Sequence, residues 1–354
     1  MLPALANALT HDTPPLETAA LIERSLRRVE QTFDKALRSE LPPVQRLVAH
    51  LETYRGKMLR PALVVLSGLA AHPNSAAVTQ ALHHGKGDDL VSDEHIRIAA
   101  VCEMIHMATL VHDDVLDEAD IRRKGATINR LRGNETAVIL GDYLFSSAYH
   151  LCSSLDSQQA ALLIGHTGMT LCTGELLQLH HRENFSIDEP TYFEIVRRKT
   201  GSLISVACRL GALQSGGPAM VAERLADIGM ALGVAFQIQD DLLDLTGNQQ
   251  VVGKPLRRDL ELGKLTLPVI HHLATAAPEV RARTLKLLDD APTIDPATTR
   301  TLIEALESTA SLAHAEDKAK DLVAQAKRLL GELPPTPARA LLLVMADQVV
   351  TRAA

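Results

Sequence analysis

The chain has 354 residues, 46% hydrophobic and 22% charged, which is too apolar for disorder and long enough to bury a large interior. Its formal net charge of −7 would repel a phosphate backbone, so no nucleic-acid partner is expected. Aromatic residues at 3%, the absence of tryptophan and the abundance of Ala and Leu favour helix over sheet.

Helical periodicity runs through the sequence. Helices are predicted over 15–39, 43–52, 60–71, 96–117, 134–154, 159–182, 189–214 and 218–245, then over 264–276, 279–290, 296–312, 314–330 and 337–352. Asp188-Glu189-Pro190 supplies a capping residue and an early proline for one start, and Gly247-Asn248 a stop. No strand pattern is found. The segment Ala70 to Ile96 mixes Pro, Asn, Gly, Asp and His and reads as a long surface connection, with His83 and His84 as a solvated pair. The expected architecture is all-α, a single large helix bundle around a deep central cavity, with residues 1–354 as one domain. The N-terminus has no basic leader and no run of eighteen apolar residues occurs, so neither a signal peptide nor a transmembrane segment is expected. Cys102, Cys152, Cys172 and Cys208 form no CxxC pair and read as thiols of a reducing compartment, which makes a cytoplasmic protein the expectation.

Two short stretches share one spacing. Asp113-Asp114-Val115-Leu116-Asp117 and Asp240-Asp241-Leu242-Leu243-Asp244 each follow an apolar helical run. Residues i and i+4 lie on one helix face, so Asp113 pairs with Asp117 and Asp240 with Asp244. Like charges at that spacing cost a few tenths of a kcal/mol, and the C-terminal end of a helix dipole adds to the cost. A hard divalent cation removes the penalty. Oxygen ligands suit Mg²⁺, which commonly bridges carboxylates to substrate phosphates. A carboxylate-bridged iron pair would need two Glu-x-x-His copies; Glu103 and His106 make one, and the second is missing.

Basic residues sit beside the acids. Arg122 and Arg123 follow the first cluster, and guanidinium forks match phosphate oxygens. Upstream, Gly56, Lys57, Arg60 and Pro61 form a second basic group, and Lys199 and Lys254 are further candidates. His106, seven residues before Asp113, falls on the same helical stripe; Gln237 does so relative to Asp240 and Asp244.

The two DDxxD clusters in this order, preceded by "GKMLRP" and accompanied by "GDYLFSSA", "RRKTGSL" and "GKPLRRDLELGKLTLP", resemble the trans-isoprenyl diphosphate synthases, the polyprenyl synthetase family. The resemblance covers the chain from about Leu41 onward. It implies a prenyltransferase that joins an allylic prenyl diphosphate to isopentenyl diphosphate. It implies that Asp113 and Asp117, with Asp240 from the opposite helix, bind Mg²⁺, three ions in all, together with the allylic diphosphate. Asp114, Asp241 and Asp244 would support these ligands. Arg122 would hold the allylic diphosphate; Lys57, Arg60, His106 and Arg123 would hold isopentenyl diphosphate; Lys199, Thr200, Gln237 and Lys254 would line the allylic side. It also implies a homodimer.

In such enzymes a bulky aromatic five residues before the first aspartate stops chain growth early. Here that position is Ala108, followed by Thr109, and no aromatic occurs from Val101 to Asp117. The resemblance is therefore to the longer-chain branch. Geometry alone puts Thr109, not Ala108, below Asp113, and Tyr143, Phe145 or Tyr149 could add to the floor. Arg55, Met58, Arg257 and Arg258 depart from the usual pattern. A geranylgeranyl diphosphate synthase, a terpene cyclase and a non-catalytic subunit of a heteromeric synthase are the rival readings. Cyclases usually carry a different second metal motif, and a non-catalytic subunit would be expected to have lost aspartates; this chain keeps all six.

Overall fold

The computed structural model describes residues 16–84, 86–123, 125–247, 258–289 and 296–351. In chain order the helices are α1 (Leu16–Ala36), α2 (Pro42–His50), α3 (Leu59–Ala71), α4 (Ser75–His83), α5 (Asp93–Leu116), α6 (Ile128–Arg132), α7 (Asn134–Ser153) and α8 (Gln158–His180). They continue as α9 (Glu189–Val196), α10 (Ser202–Gln214), α11 (Ala219–Thr246), α12 (Arg258–Glu261), α13 (Leu267–Thr275), α14 (Pro278–Asp289), α15 (Pro296–Ser308), α16 (Ser311–Gly331) and α17 (Pro337–Val350). The architecture is all-α, as the periodicity implies.

Three local features differ from the sequence expectation. The segment Ala70 to Ile96 is not an irregular connection: α4 occupies its middle, started by Asn74, whose side chain accepts from the Ala77 backbone N–H. His83 and His84 at its end are exposed. A two-stranded hairpin does occur, β1 (Ile121–Arg122) pairing antiparallel with β2 (Gly125–Ala126). Two residues per strand are too few to show alternation in sequence. Finally, the helix expected over 189–214 is broken by a π turn, Arg197–Gly201, between α9 and α10.

The described residues cluster into two compact units. The first takes the chain up to Met169 with Leu203–Gly229 and Ala326–Ala346; the second takes Thr170–Ser202, Met230–Gln325 and the residues from Asp347 onward.

In the first unit α5 is the central helix. Ser92 caps it in a reciprocal capping box with His95, and Asp93 and Glu94 occupy its first turn, where acidic charge suits the dipole. Its buried residues fall all round the cylinder, from His95 to Asp114, as in a helix surrounded by others. α3 is buried at every position from Pro61 to Ala71. It meets α10 backbone to backbone: a Cβ at Gly211 would lie 2.0 Å from the Val64 carbonyl oxygen, and one at Gly68 would lie 3.0 Å from the Gly211 carbonyl oxygen. In the second unit Leu245, Leu260, Val269, Leu273, Leu302 and Leu306 form a core, with Phe185 and Leu265 packed against it. The four cysteines are unpaired. Among the described residues no single helix is long and apolar enough to cross a membrane.

Candidate active site

In the first unit Asp113 lies in the last turn of α5, and Asp117 is the residue that caps it, its N–H bonded to the Asp113 carbonyl at 2.8 Å. Both are half-buried. Asp114 between them is 1% exposed and points the other way. Tyr54 Oη donates to Asp114 Oδ2 at 2.7 Å, and Arg122 Nε and Nη2 reach Oδ1 at 2.8 and 2.7 Å. Tyr54 Oη also accepts from the Ile128 N–H at 3.0 Å. Burial, and then the bond to Asp114, hold the Tyr54 phenol above its ordinary value. A buried carboxylate needs such donors, because an unpaired charge would cost several kcal/mol. The hairpin therefore does a specific job: β1 carries Arg122 back beneath the end of α5. Asp113 is close enough to add to the favourable field at Arg122.

The predicted second-substrate residues partly assemble. Arg123 has a left-handed backbone, φ 56°, and its guanidinium donates to the Tyr54 carbonyl. A Cβ at Gly56 would come within 2.5 Å of Arg123 Nη2, so the glycine leaves room for that guanidinium. Arg60 places a buried Nε without a hydrogen-bond partner opposite Glu103, whose Oε2 is likewise buried and unpartnered. Burial raises the Glu103 carboxyl, and the charges of Arg60, Arg123 and Arg55 only partly oppose it. His106 is held neutral, well below the ordinary histidine value, by burial and then by Arg60, Arg122 and Arg123. Those three cations thus all act on His106 through their field. Lys57 is exposed, in the segment just before α3. Lys254 lies outside the described residues.

The second unit repeats the inward-turned middle aspartate. Asp241, 4% exposed, accepts from Tyr192 Oη at 2.6 Å and from Gln237 Nε2 at 2.8 Å. Burial, and then the charge of Asp259, push its carboxyl well above the usual range. Asp244 is 2% exposed and accepts from the Asp259 N–H at 3.4 Å, whereas Asp240 is half-buried. Thr200 Oγ1 donates to Gln237 Oε1 at 2.9 Å. Lys199 Nζ pairs with Glu175 and donates to Gln178 Oε1 at 2.9 Å. The π turn presents Lys199 and Thr200 as neighbours; π turns recur at functional positions.

Tyr54, Tyr192, Glu175 and Gln178 were not expected from the sequence. The two tyrosines had a weak signal: the chain has only four, and a scarce buried phenol needs a polar partner.

Ala108 is 0% exposed, and the Thr109 hydroxyl bonds back to the His106 carbonyl at 2.8 Å. The three aromatics of α7 differ in their surroundings, and Phe145 meets α5, at His112, one turn beyond Ala108. Tyr143 Oη reaches the Leu37 carbonyl at 3.4 Å, Phe145 stacks on His112 with centroids 6.2 Å apart, and Tyr149 is 55% exposed.

The polyprenyl synthetase family model matches residues 42–306. The nonaprenyl diphosphate synthase of Mycobacterium tuberculosis is 35% identical over 94% of each chain. The heptaprenyl diphosphate synthase component 2 of Geobacillus stearothermophilus is 34% identical over 91% of this chain and 94% of its own. The crystal structure of a polyprenyl synthase from Caulobacter crescentus, complexed with calcium and isoprenyl diphosphate, superposes with a TM-score of 0.83 at 28% identity, covering 100% of this chain and 98% of that one.

Proposed function

The chain belongs to the polyprenyl synthetase family and is a prenyltransferase, and from that premise we propose that it condenses an allylic prenyl diphosphate with isopentenyl diphosphate to give an all-trans polyprenyl diphosphate of medium to long chain. One observation carries the reading: within each acidic cluster the middle aspartate is buried and held by a tyrosine, while Asp113, Asp117 and Asp240 stay half-exposed. Half-exposed carboxylates with buried, anchored neighbours fit Mg²⁺, which takes oxygen donors and keeps several waters. Asp113 and Asp117, and Asp240, are the residues that would hold it. Bound there, Mg²⁺ would neutralise the charge that develops on the departing diphosphate.

The remaining roles fall to the chain's own side chains. Arg122, fixed by Asp114, holds the allylic diphosphate in a set orientation. Lys57, Arg60 and Arg123 hold isopentenyl diphosphate, with neutral His106 as a hydrogen-bond donor. Lys199, oriented by Glu175 and Gln178, works with Lys254 on the allylic side. Thr200 spends its proton on Gln237, so its oxygen offers only lone pairs, the polarity that stabilises positive charge on the allylic carbon. No side chain stands out as the base, and the released diphosphate takes the proton.

Chain length is the finer part of this reading. Small, buried Ala108, the exposed ring of Tyr149 and the bond of Tyr143 to Leu37 support a longer product than geranylgeranyl diphosphate. Ala108→Phe is expected to shorten the product. Purified protein given Mg²⁺, labelled isopentenyl diphosphate and each allylic primer in turn would show it by chromatography. An unchanged product length would remove Ala108 from the ruler, and no product with any primer would end the reading.

We also propose a homodimer. Val138, Ile139 and Tyr149 on α7 and Leu162 and Met169 on α8 are large apolar side chains 40 to 68% exposed, and a subunit interface would take such side chains out of water. Because one relative is named as a component, an unlike partner is the second reading. Light scattering of the purified chain is expected to give the mass of two chains; a monomer would favour the unlike partner.

A further inference from the structure

The hairpin that carries Arg122 and Arg123 rests on one short turn. Leu51–Tyr54 is a 3₁₀ turn just before the basic group of Lys57 and Arg60. His50 Nε2, at its start, donates to the Ala126 carbonyl of β2 at 2.9 Å. Thr53 lies against the same strand: a Cβ at Gly125 would sit 3.4 Å from the Thr53 Cβ. Tyr54 closes the turn, 1% exposed, and its contacts bear on both arginines.

The two ends of Tyr54 act differently. A phenol has one proton to donate and lone pairs to accept with. The proton goes to Asp114 Oδ2 at 2.7 Å, and the oxygen accepts from the Ile128 N–H at 3.0 Å. Asp114 Oδ1 is taken by Arg122, Nε at 2.8 Å and Nη2 at 2.7 Å, while 27% of the Arg122 side chain stays accessible to a ligand. The backbone carbonyl of Tyr54 accepts from the Arg123 guanidinium instead. One residue thus reaches the two arginines by separate routes.

We propose that Tyr54 is a positioning residue for both diphosphates, its phenol setting Arg122 through Asp114 and its carbonyl setting Arg123 directly. This role rests on the prenyl-transfer reading above, in which Arg122 takes the allylic diphosphate and Arg123 takes isopentenyl diphosphate. A guanidinium fork matches phosphate oxygens in a set orientation, so each route governs the affinity for one substrate.

Two substitutions cut the routes one at a time. Tyr54→Phe removes the phenol oxygen and keeps the ring and the carbonyl. Gly56→Ala does the converse: its methyl would meet Arg123 Nη2 at 2.5 Å and push that flexible end off the carbonyl while the phenol stays. Steady-state rates are measured at saturating Mg²⁺ with labelled isopentenyl diphosphate and whichever of geranyl, farnesyl or geranylgeranyl diphosphate the parent protein elongates best. Tyr54→Phe is expected to raise the KM for the primer about tenfold and to leave that for isopentenyl diphosphate unchanged. Gly56→Ala is expected to do the reverse. A general loosening would lower kcat or raise both KM values together, so a merely structural role would not produce the split. Circular dichroism establishes that each variant is folded. Should Tyr54→Phe not fold, Asp114→Asn, which turns one acceptor into a donor, must give the same primer-selective change. Arg122→Ala separates the two levels of the reading. If it raises the primer KM and Tyr54→Phe does not, Tyr54 is no positioning residue and the prenyl-transfer reading stands. If Arg122→Ala leaves the primer KM unchanged, the assignment of Arg122 fails and the role of Tyr54 with it. Equal rises for both substrates in Tyr54→Phe would also overturn that role.

Discussion

Asp113→Ala is expected to lower kcat/KM by about a thousandfold at saturating Mg²⁺, the scale on which a single electrostatic group at a reacting centre acts. The substitution removes the half-exposed carboxylate at the end of α5 and leaves Asp114 where Tyr54 and Arg122 hold it. The fold should not suffer. Asp113 faces Asp117 one turn on, at the negative end of the helix dipole, so its removal relieves a few tenths of a kcal/mol of repulsion. That gain roughly offsets the lost attraction to Arg122. Activity and thermal midpoint are therefore expected to separate, the first collapsing and the second staying level or rising slightly. Near-normal turnover would sink the metal assignment. A large fall in midpoint would instead make Asp113 a structural residue.

Gly211→Ala is expected to destabilise the protein by about 2 kcal/mol or more, even though the same change in an exposed helix stabilises by about 1 kcal/mol. The sign is decided by distance. The added methyl would lie 2.0 Å from the Val64 carbonyl oxygen and 2.8 Å from its carbon, and neither backbone atom can rotate away as a side chain would. α3 and α10 would have to separate, and every buried residue of α3 would lose packing with them. The measurement is the thermal unfolding midpoint, expected to fall by several degrees. An unchanged or raised midpoint would mean that the two helices have slack.

The features that could be read from the sequence are those coded within one or two turns. The long helices were legible because their apolar positions recur locally; α7, expected over 134–154, runs from Asn134 to Ser153. α4 was not, because it buries only Val78 and Leu82 and lies between Pro73 and Gly87, which signal a loop. The hairpin is shorter than any period. In the site, the outer and middle aspartates could be located by spacing but not told apart. What separates them is Tyr54, 60 residues from Asp114, and Tyr192, 49 residues from Asp241, and no local pattern carries a partner so distant. Arg122 was legible as a basic residue after the cluster, but its grip on Asp114 depends on the hairpin. Lys199 was legible as a further basic candidate and Thr200 only by resemblance, and the turn that joins them left no mark in composition.

That π turn has a bearing on how the chain can vary. One residue more than a regular helix needs is accommodated between Arg197 and Gly201, and a residue rotates the helix by about 100°. Substitution within the turn alters one side chain at a time. Deletion of a single residue would let the helix run through unbroken and swing Lys199 away from Glu175 and Gln178 while everything beyond kept its order. What this segment contributes is its length as much as its letters, so a frame of aligned residues that closes the extra position would misassign its neighbours.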